Sequence, residues 1–330
     1  MIELDGSRGL PIFASRMQTH TGSTRWSKLW IGLKHSQLRN NGVKDVGEND
    51  LELEGGSQED VMRERRELIV FFGLTFTITW GIGLVALLLP VQLRNIFGDF
   101  SEGNPLFFLA VFSPTLSACL LTALIDGRTG IRQLVSSLGR WRFHISYYVF
   151  ILLGIPALGY LAVLLGGGGN ELDLRKWYLF LPLLFCQVFT DPGPLGEELG
   201  WRGFVLPRLL RLHPPINSSL ILGVIWGLWH LPAFFISGTP QEGASFLFFF
   251  LGAIVLSFLS TFLYIHSRGS VLITALLHLT TNFSLSVIGA PMWIFVLLLA
   301  IAVGILILIS GPSKFVRQSV FSQWNQVPSN

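Results

Sequence analysis

From Leu68 onward the apolar residues run in long blocks separated by short polar stretches. A helix needs about 20 apolar residues to cross a bilayer core. Eight blocks approach that length: 68–91, 105–125, 146–166, 177–191, 217–236, 245–266, 270–288 and 291–309. The pattern predicts an all-α, polytopic transmembrane helix bundle of about eight spans. The fourth block is irregular, because it runs into Asp191-Pro-Gly-Pro194 and continues as a helix-like run, Leu195–Leu212. Proline and glycine break or kink a helix. A broken helix at membrane depth is tolerated only where it lines protein or a water-filled cavity. The break therefore predicts a cavity before any motif is considered.

The 67 residues ahead of the first block have a different character. They hold 11 of the 20 acidic residues and 10 of the 23 basic ones. They are rich in Gly, Ser and Asn and carry no sustained apolar period. Such a composition predicts a disordered polar segment over 1–66, with one short amphipathic piece at Trp26–Leu38. No apolar run of signal-peptide length occurs there. Met62-Arg-Glu-Arg-Arg-Glu67 also resembles a natural start for a bacterial membrane protein, which would make the upstream residues an over-extended reading frame. The remaining divisions are a transmembrane domain over 67–310 and a short tail over 311–330.

With 51% hydrophobic and 13% charged residues and a mean hydropathy of +0.57, the chain is excluded from the ordinary soluble class, which carries roughly 25% charge. Two cysteines, Cys119 and Cys186, exclude a disulfide scaffold and any multi-cysteine zinc site. Lysine and arginine in the short loops set orientation. Arg63, Arg65, Arg66, Arg128, Arg132, Arg140, Arg142, Arg208, Arg211, Arg268, Lys314 and Arg317 fall on one side, against Arg94, Arg175 and Lys176 on the other. This bias predicts that both termini are cytoplasmic; the apolar blocks make the chain a multi-pass membrane protein, expected in the cell membrane. The basic loop Asp126–Ser146 has Ile131, Leu134, Val135 and Leu138 at helical spacing, as expected of a segment lying along the inner surface. Gly166–Gly169 lack a following P-loop lysine and read as a flexible turn.

An ionisable group at the bilayer centre costs roughly 2.5–3.5 kcal/mol on the lenient scale. Polar residues kept inside the spans are therefore functional candidates, and they form three clusters. In Gly196-Glu-Glu-Leu-Gly-Trp-Arg-Gly203, Glu198 and Arg202 are four apart and share a helix face. Glu197 is turned about 100° away and is left to face a cavity, in a desolvated place suited to a general base. The bland alternative is a surface helix end with an ordinary salt bridge. In Trp226-Gly-Leu-Trp-His-Leu-Pro232, His230 lies well inside the fifth span, where a histidine can also do no more than bond a backbone carbonyl. In His278-Leu-Thr-Thr-Asn282, His278 and Asn282 share one face. They could donate to a developing oxyanion or serve as interhelical glue. Together the clusters supply the parts for water activation: a carboxylate, imidazoles and an amide donor. Glu197, His230 and His278 could also hold a divalent metal such as zinc, although the His-Glu-x-x-His spacing of zincins is absent.

Glu-Glu-x-x-x-Arg, aromatic-x-x-x-His and His-x-x-x-Asn, in this order on separate spans, resemble the CPBP family. These are the CAAX-protease and bacteriocin-processing intramembrane proteases, related to the type II Ras-converting CAAX endopeptidase. The similar core runs from Tyr178 to Asn282. The resemblance implies proteolysis within the membrane, with Glu197 activating the attacking water and His230 assisting. It implies that His278 and Asn282 bind the water and stabilise the oxyanion, while Glu198 and Arg202 form a structural pair that positions Glu197. It leaves open whether a metal takes part. The second motif often begins with Phe in the family and here begins with Trp226, for which altered packing is expected. Expected partners are the bilayer and a membrane-embedded or lipidated protein or peptide substrate, with no nucleic acid. A non-enzymatic immunity or scaffolding protein on the same fold is the alternative. A small transporter is disfavoured by the absence of a second broken helix and of an internal repeat.

Overall fold

The computed structural model describes residues 48–101, 103–167 and 178–310, with backbone only for 48–57 and 310. The expected amphipathic piece at Trp26–Leu38, the start of the fourth span at Trp177, Gly168 and Gly169, and the tail 311–330 lie outside those residues. The chain divides into two compact units, Met1–Asp60 and Val61–Asn330. All side-chain contacts below belong to the second.

The regular elements among the described residues are all helices, without strands. Helix α1 spans Glu48–Leu88, α2 Pro90–Phe97 and α3 Pro105–Ser136. Helix α4, Ile145–Val149, passes through a π turn into α5, Ile155–Gly166. Helix α6 is Phe180–Thr190. Helix α7, Gly193–Glu198, continues through a π segment, Leu199–Val205, into α8, Leu206–Leu212. Helix α9 is Pro215–Trp229, α10 Phe246–His266, α11 Val271–Ser286 and α12 Met292–Ser310. Helix α1 begins ahead of the expected boundary at 67. Near that boundary its acids find partners: Glu67 accepts from Arg63 at 2.9 Å and from Arg208 at 2.8 Å, and Glu64 from Arg211 at 2.7 Å.

Among the described residues six helical stretches are long and apolar enough to cross a membrane: 58–88, 105–139, 145–166, 215–235, 246–266 and 292–309. They correspond to six of the eight expected spans. The fourth and seventh are the shorter helices α6 and α11, of 11 and 16 residues. At 1.5 Å per residue even α11 covers only about 24 Å. Helix α11 is buried on nearly every side, so its apolar content is spent on protein neighbours rather than on lipid.

Small residues let the helices approach closely, as expected where packing rather than hydrophobicity drives association. A Cβ on Gly200 would lie 2.5 Å from the carbonyl carbon of Pro114, so the π segment rests directly on the α3 backbone. A Cβ on Gly223 would meet the Ile254 Cα at 2.7 Å, which sets the α9–α10 crossing. Helix α3 is bent at Gly127, whose φ of +63° suits glycine. Beyond the bend the basic segment remains helical to Ser136, with Leu134 buried against Gly203.

Candidate active site

The break in the fourth span falls at Asp191-Pro192, between α6 and α7. Asp191 caps the new helix, its Oδ1 accepting from the Gly193 amide at 3.0 Å. One turn further, Glu197 and Glu198 are 4% and 1% exposed, and Arg202 is fully buried.

Glu198 is held from two sides. Arg202 Nη1 donates to its Oε1 at 2.7 Å, which makes the spacing-predicted pair real. The same oxygen lies 3.0 Å from His278 Nδ1 on α11. The Arg202 guanidinium also reaches Ser257 and Ser260 of α10 at 3.4 and 3.5 Å and lies over the Trp226 ring, 4.4 Å from its centroid. A buried ion pair is costly to desolvate and depends on such added hydrogen bonds. The tether fixes the direction of His278, because Nδ1 faces Glu198 and Nε2 is turned the other way, towards Gly193.

Glu197 faces away from this pair. Its Oε2 accepts from the Trp226 indole N–H at 2.6 Å and lies 3.8 Å from His230 Nε2. His230 Nδ1 sits 2.9 Å from the Trp226 carbonyl oxygen. An imidazole that donates Nδ1–H to a carbonyl keeps a lone pair on Nε2. Two acceptor atoms therefore lie side by side, close enough for one water next to them to donate to both. The other glutamate oxygen, Oε1, looks across Gly193. A methyl there would lie 3.4 Å from Glu197 Oε1, 3.4 Å from His278 Nε2 and 3.1 Å from Asp191 Oδ1. Three polar atoms thus converge over a bare α-carbon.

Asn282, one turn after His278, donates from Nδ2 to Asp191 Oδ2 at 2.9 Å. Gln187 Nε2 lies 3.5 Å from the same oxygen. Glu197, His230, His278 and Asn282 all line one cavity of about 470 Å³, which Asp191 and Trp226 also border. Its opposite walls are apolar, with Phe107, Phe249, Leu256, Phe295 and Leu299. The turn that carries His230 is pinned to α1, where the Trp229 indole donates to Thr79 at 2.9 Å and the Trp80 indole to the Trp229 carbonyl at 3.2 Å.

All four residues expected at the catalytic centre are therefore gathered at one cavity, with the Glu198–Arg202 pair behind them. Two further residues belong to it. Asp191 was legible only as part of a helix break, and its presence among the few acids of the apolar region was the available signal. Trp226 was assigned to packing, and its N–H bond to Glu197 adds to that. Among the described residues no group of three His, Cys, Asp or Glu side chains is already gathered closely enough to hold an ion. His278 and His230 each engage Nδ1, with Glu198 and with a carbonyl, which leaves Nε2 as the nitrogen open to the cavity, the arrangement also found in metal-ligating histidines.

Residues 173–284 match the family model described as Type II CAAX prenyl endopeptidase Rce1-like. This segment contains Asp191, Glu197, Glu198, Arg202, Trp226, His230, His278 and Asn282, and over it the chain is similar to that family. Among curated proteins, it is 28% identical over 138 residues to CAAX prenyl protease 2 of Methanococcus maripaludis, a match covering 40% of this chain and 48% of that protein. The chain thus spans about half the length of that relative.

Proposed function

We propose that the protein is an intramembrane endopeptidase that hydrolyses a peptide bond of a membrane-associated or lipidated substrate with a glutamate-activated water. The observation that carries this reading is the adjacent pair Glu197 Oε2 and His230 Nε2, 3.8 Å apart at the polar end of an otherwise apolar cavity. A water bridging the two gives a proton to Glu197 as its oxygen attacks the scissile carbonyl carbon. The carbonyl oxygen becomes an oxyanion. Asn282 has one Nδ2–H on Asp191 and keeps the other for that oxyanion, and His278, when doubly protonated, offers Nε2–H. Two carboxylates with Arg202 and such an imidazolium sum to zero charge, which suits a buried cluster. The tetrahedral intermediate then collapses as the proton on Glu197 passes to the leaving nitrogen. The apolar walls support a lipid-like or hydrophobic substrate segment. The arginine bias of the loops supports cytoplasmic termini.

Cleavage of a panel of lipidated C-terminal peptides by purified protein in detergent tests the reading. Wild type is expected to cleave at least one peptide. Glu197→Gln keeps the shape, removes the base and is expected to lower turnover by about a thousandfold or more while insertion is unchanged. A parallel arm with a chelator reports on metal dependence. Full activity in Glu197→Gln sinks the mechanism, and no cleavage by wild type favours a non-enzymatic binding role.

A further inference from the structure

The proposed base pair comes from two different helices, Glu197 from α7 and His230 from the end of α9. A carboxylate can rotate about its terminal bond, and an imidazole can flip. For a water to be held by both, both must be fixed to one frame. Trp226 touches both. Its indole N–H donates to Glu197 Oε2 at 2.6 Å, and its carbonyl oxygen lies 2.9 Å from His230 Nδ1. Among the described residues no other side chain donates a hydrogen bond to the Glu197 carboxylate.

The frame is itself held. Trp226 is 3% exposed. The Arg202 guanidinium covers its ring at 4.4 Å, and the rings of His230 and His278 meet it edge-on at 5.6 and 5.4 Å. A phenylalanine would keep a ring beneath Arg202, although it is smaller than an indole and leaves part of that space empty. It would offer Glu197 no donor.

We propose that Trp226 is the positioning residue of this site, aligning Glu197 through its indole N–H and His230 through its carbonyl so that one water is shared between them. The inference rests on the protease reading for its consequence but not for the contact itself. The indole bond leaves Glu197 Oε1 free over Gly193 and holds Oε2 at a set distance from His230. Without it the ring still packs, the bundle still closes, and the carboxylate turns freely.

Two measurements test it. In Trp226→Phe, kcat is expected to fall by about tenfold to a hundredfold, the range for losing one hydrogen bond to a charged group. KM stays at its wild-type value, and the thermal midpoint in detergent falls only by the modest amount expected of the lost indole volume. A loss confined to KM, or to the thermal midpoint with kcat kept, overturns the proposal. The second measurement needs no turnover. In ¹⁵N-tryptophan-labelled protein, the Trp226 indole N–H signal is assigned by its absence in Trp226→Phe or Trp226→Tyr. That signal is expected to move when Glu197 is replaced by Gln. An indole signal indifferent to Glu197→Gln overturns the proposal even if the protein is a protease. If wild type cleaves no peptide, the protease reading fails separately, and the indole signal still decides whether Trp226 holds Glu197.

Discussion

Asp191 joins two elements through one carboxylate. One oxygen caps the Gly193 amide and the other takes the amide of Asn282. A carboxylate facing an amide forces the nitrogen towards it, so Asp191 decides which end of Asn282 meets the cavity. Asp191→Ala is expected to reduce kcat by about tenfold to a hundredfold, a loss comparable to that of one oxyanion donor or less. Asp191→Asn keeps an acceptor for the cap and is expected to lose less thermal stability than Asp191→Ala, and paired kinetic and unfolding measurements separate the two roles. The residues legible in the sequence at this scale were those with local spacing. Glu198 with Arg202, and His278 with Asn282, are four apart, and helical geometry alone puts each pair on one face. Asp191 with Asn282 and Trp226 with Glu197 are 91 and 29 residues apart. No periodicity encodes such pairs, since they exist only once α7, α9 and α11 have docked.

Among the elements, hydropathy found the spans, and two of them are, among the described residues, helices too short to cross a bilayer alone. An apolar count does not distinguish residues facing lipid from residues facing protein, so α11 reads like a span although its 16 residues are shared among neighbouring helices. The π segment Leu199–Val205 has no signature in the apolar pattern either. Its contact with α3 yields a sharp expectation. A side chain on Gly200 meets backbone atoms of Pro114, which cannot rotate aside. Gly200→Val should therefore destabilise the bundle by about 1–3 kcal/mol or more as an overpacking change, visible as a lower thermal midpoint in detergent. The connection between α9 and α10 provides a second, milder case. Gly238, at φ +90°, donates its amide to Glu242 at 2.8 Å, and this bond, together with Ser237, holds the exposed carboxyl below its ordinary range. A depressed carboxyl adds order above its unfolded pKa and loses it as pH falls through the folded value. Amide exchange at Gly238 should thus converge on that of Glu242→Gln at acid pH and be slower than in the variant near neutrality.

For the whole molecule, the segment 173–284 carries the family match, and helices on both sides of it supply the remaining walls, α12 with Phe295 and Leu299. Helix α1 contributes Thr79, and α3 contributes Phe107 to the same cavity. Orientation remains a matter of loop charge. The positive-inside rule counts Lys and Arg whether or not acids accompany them, so the pairing of Arg208 with Glu67 and of Arg211 with Glu64 does not weaken it. With Cys119 and Cys186 replaced by Ser, a cysteine placed at Arg94 should react with a membrane-impermeant maleimide on intact cells, and one at Arg268 only after lysis. The reverse pattern inverts the topology. The site's place in the whole rests on the interruption at Asp191-Pro192. A helix that starts in an apolar surrounding leaves N–H groups without acceptors. Here Pro192 and Pro194 have no N–H to strand, Gly193 gives its own to Asp191, and Gly196 already reaches the Pro192 carbonyl at 2.8 Å. Four consecutive residues thus open a seam in a membrane helix while leaving scarcely a naked donor, a self-sealing joint that could be transplanted to make a reactive crevice in an otherwise featureless span.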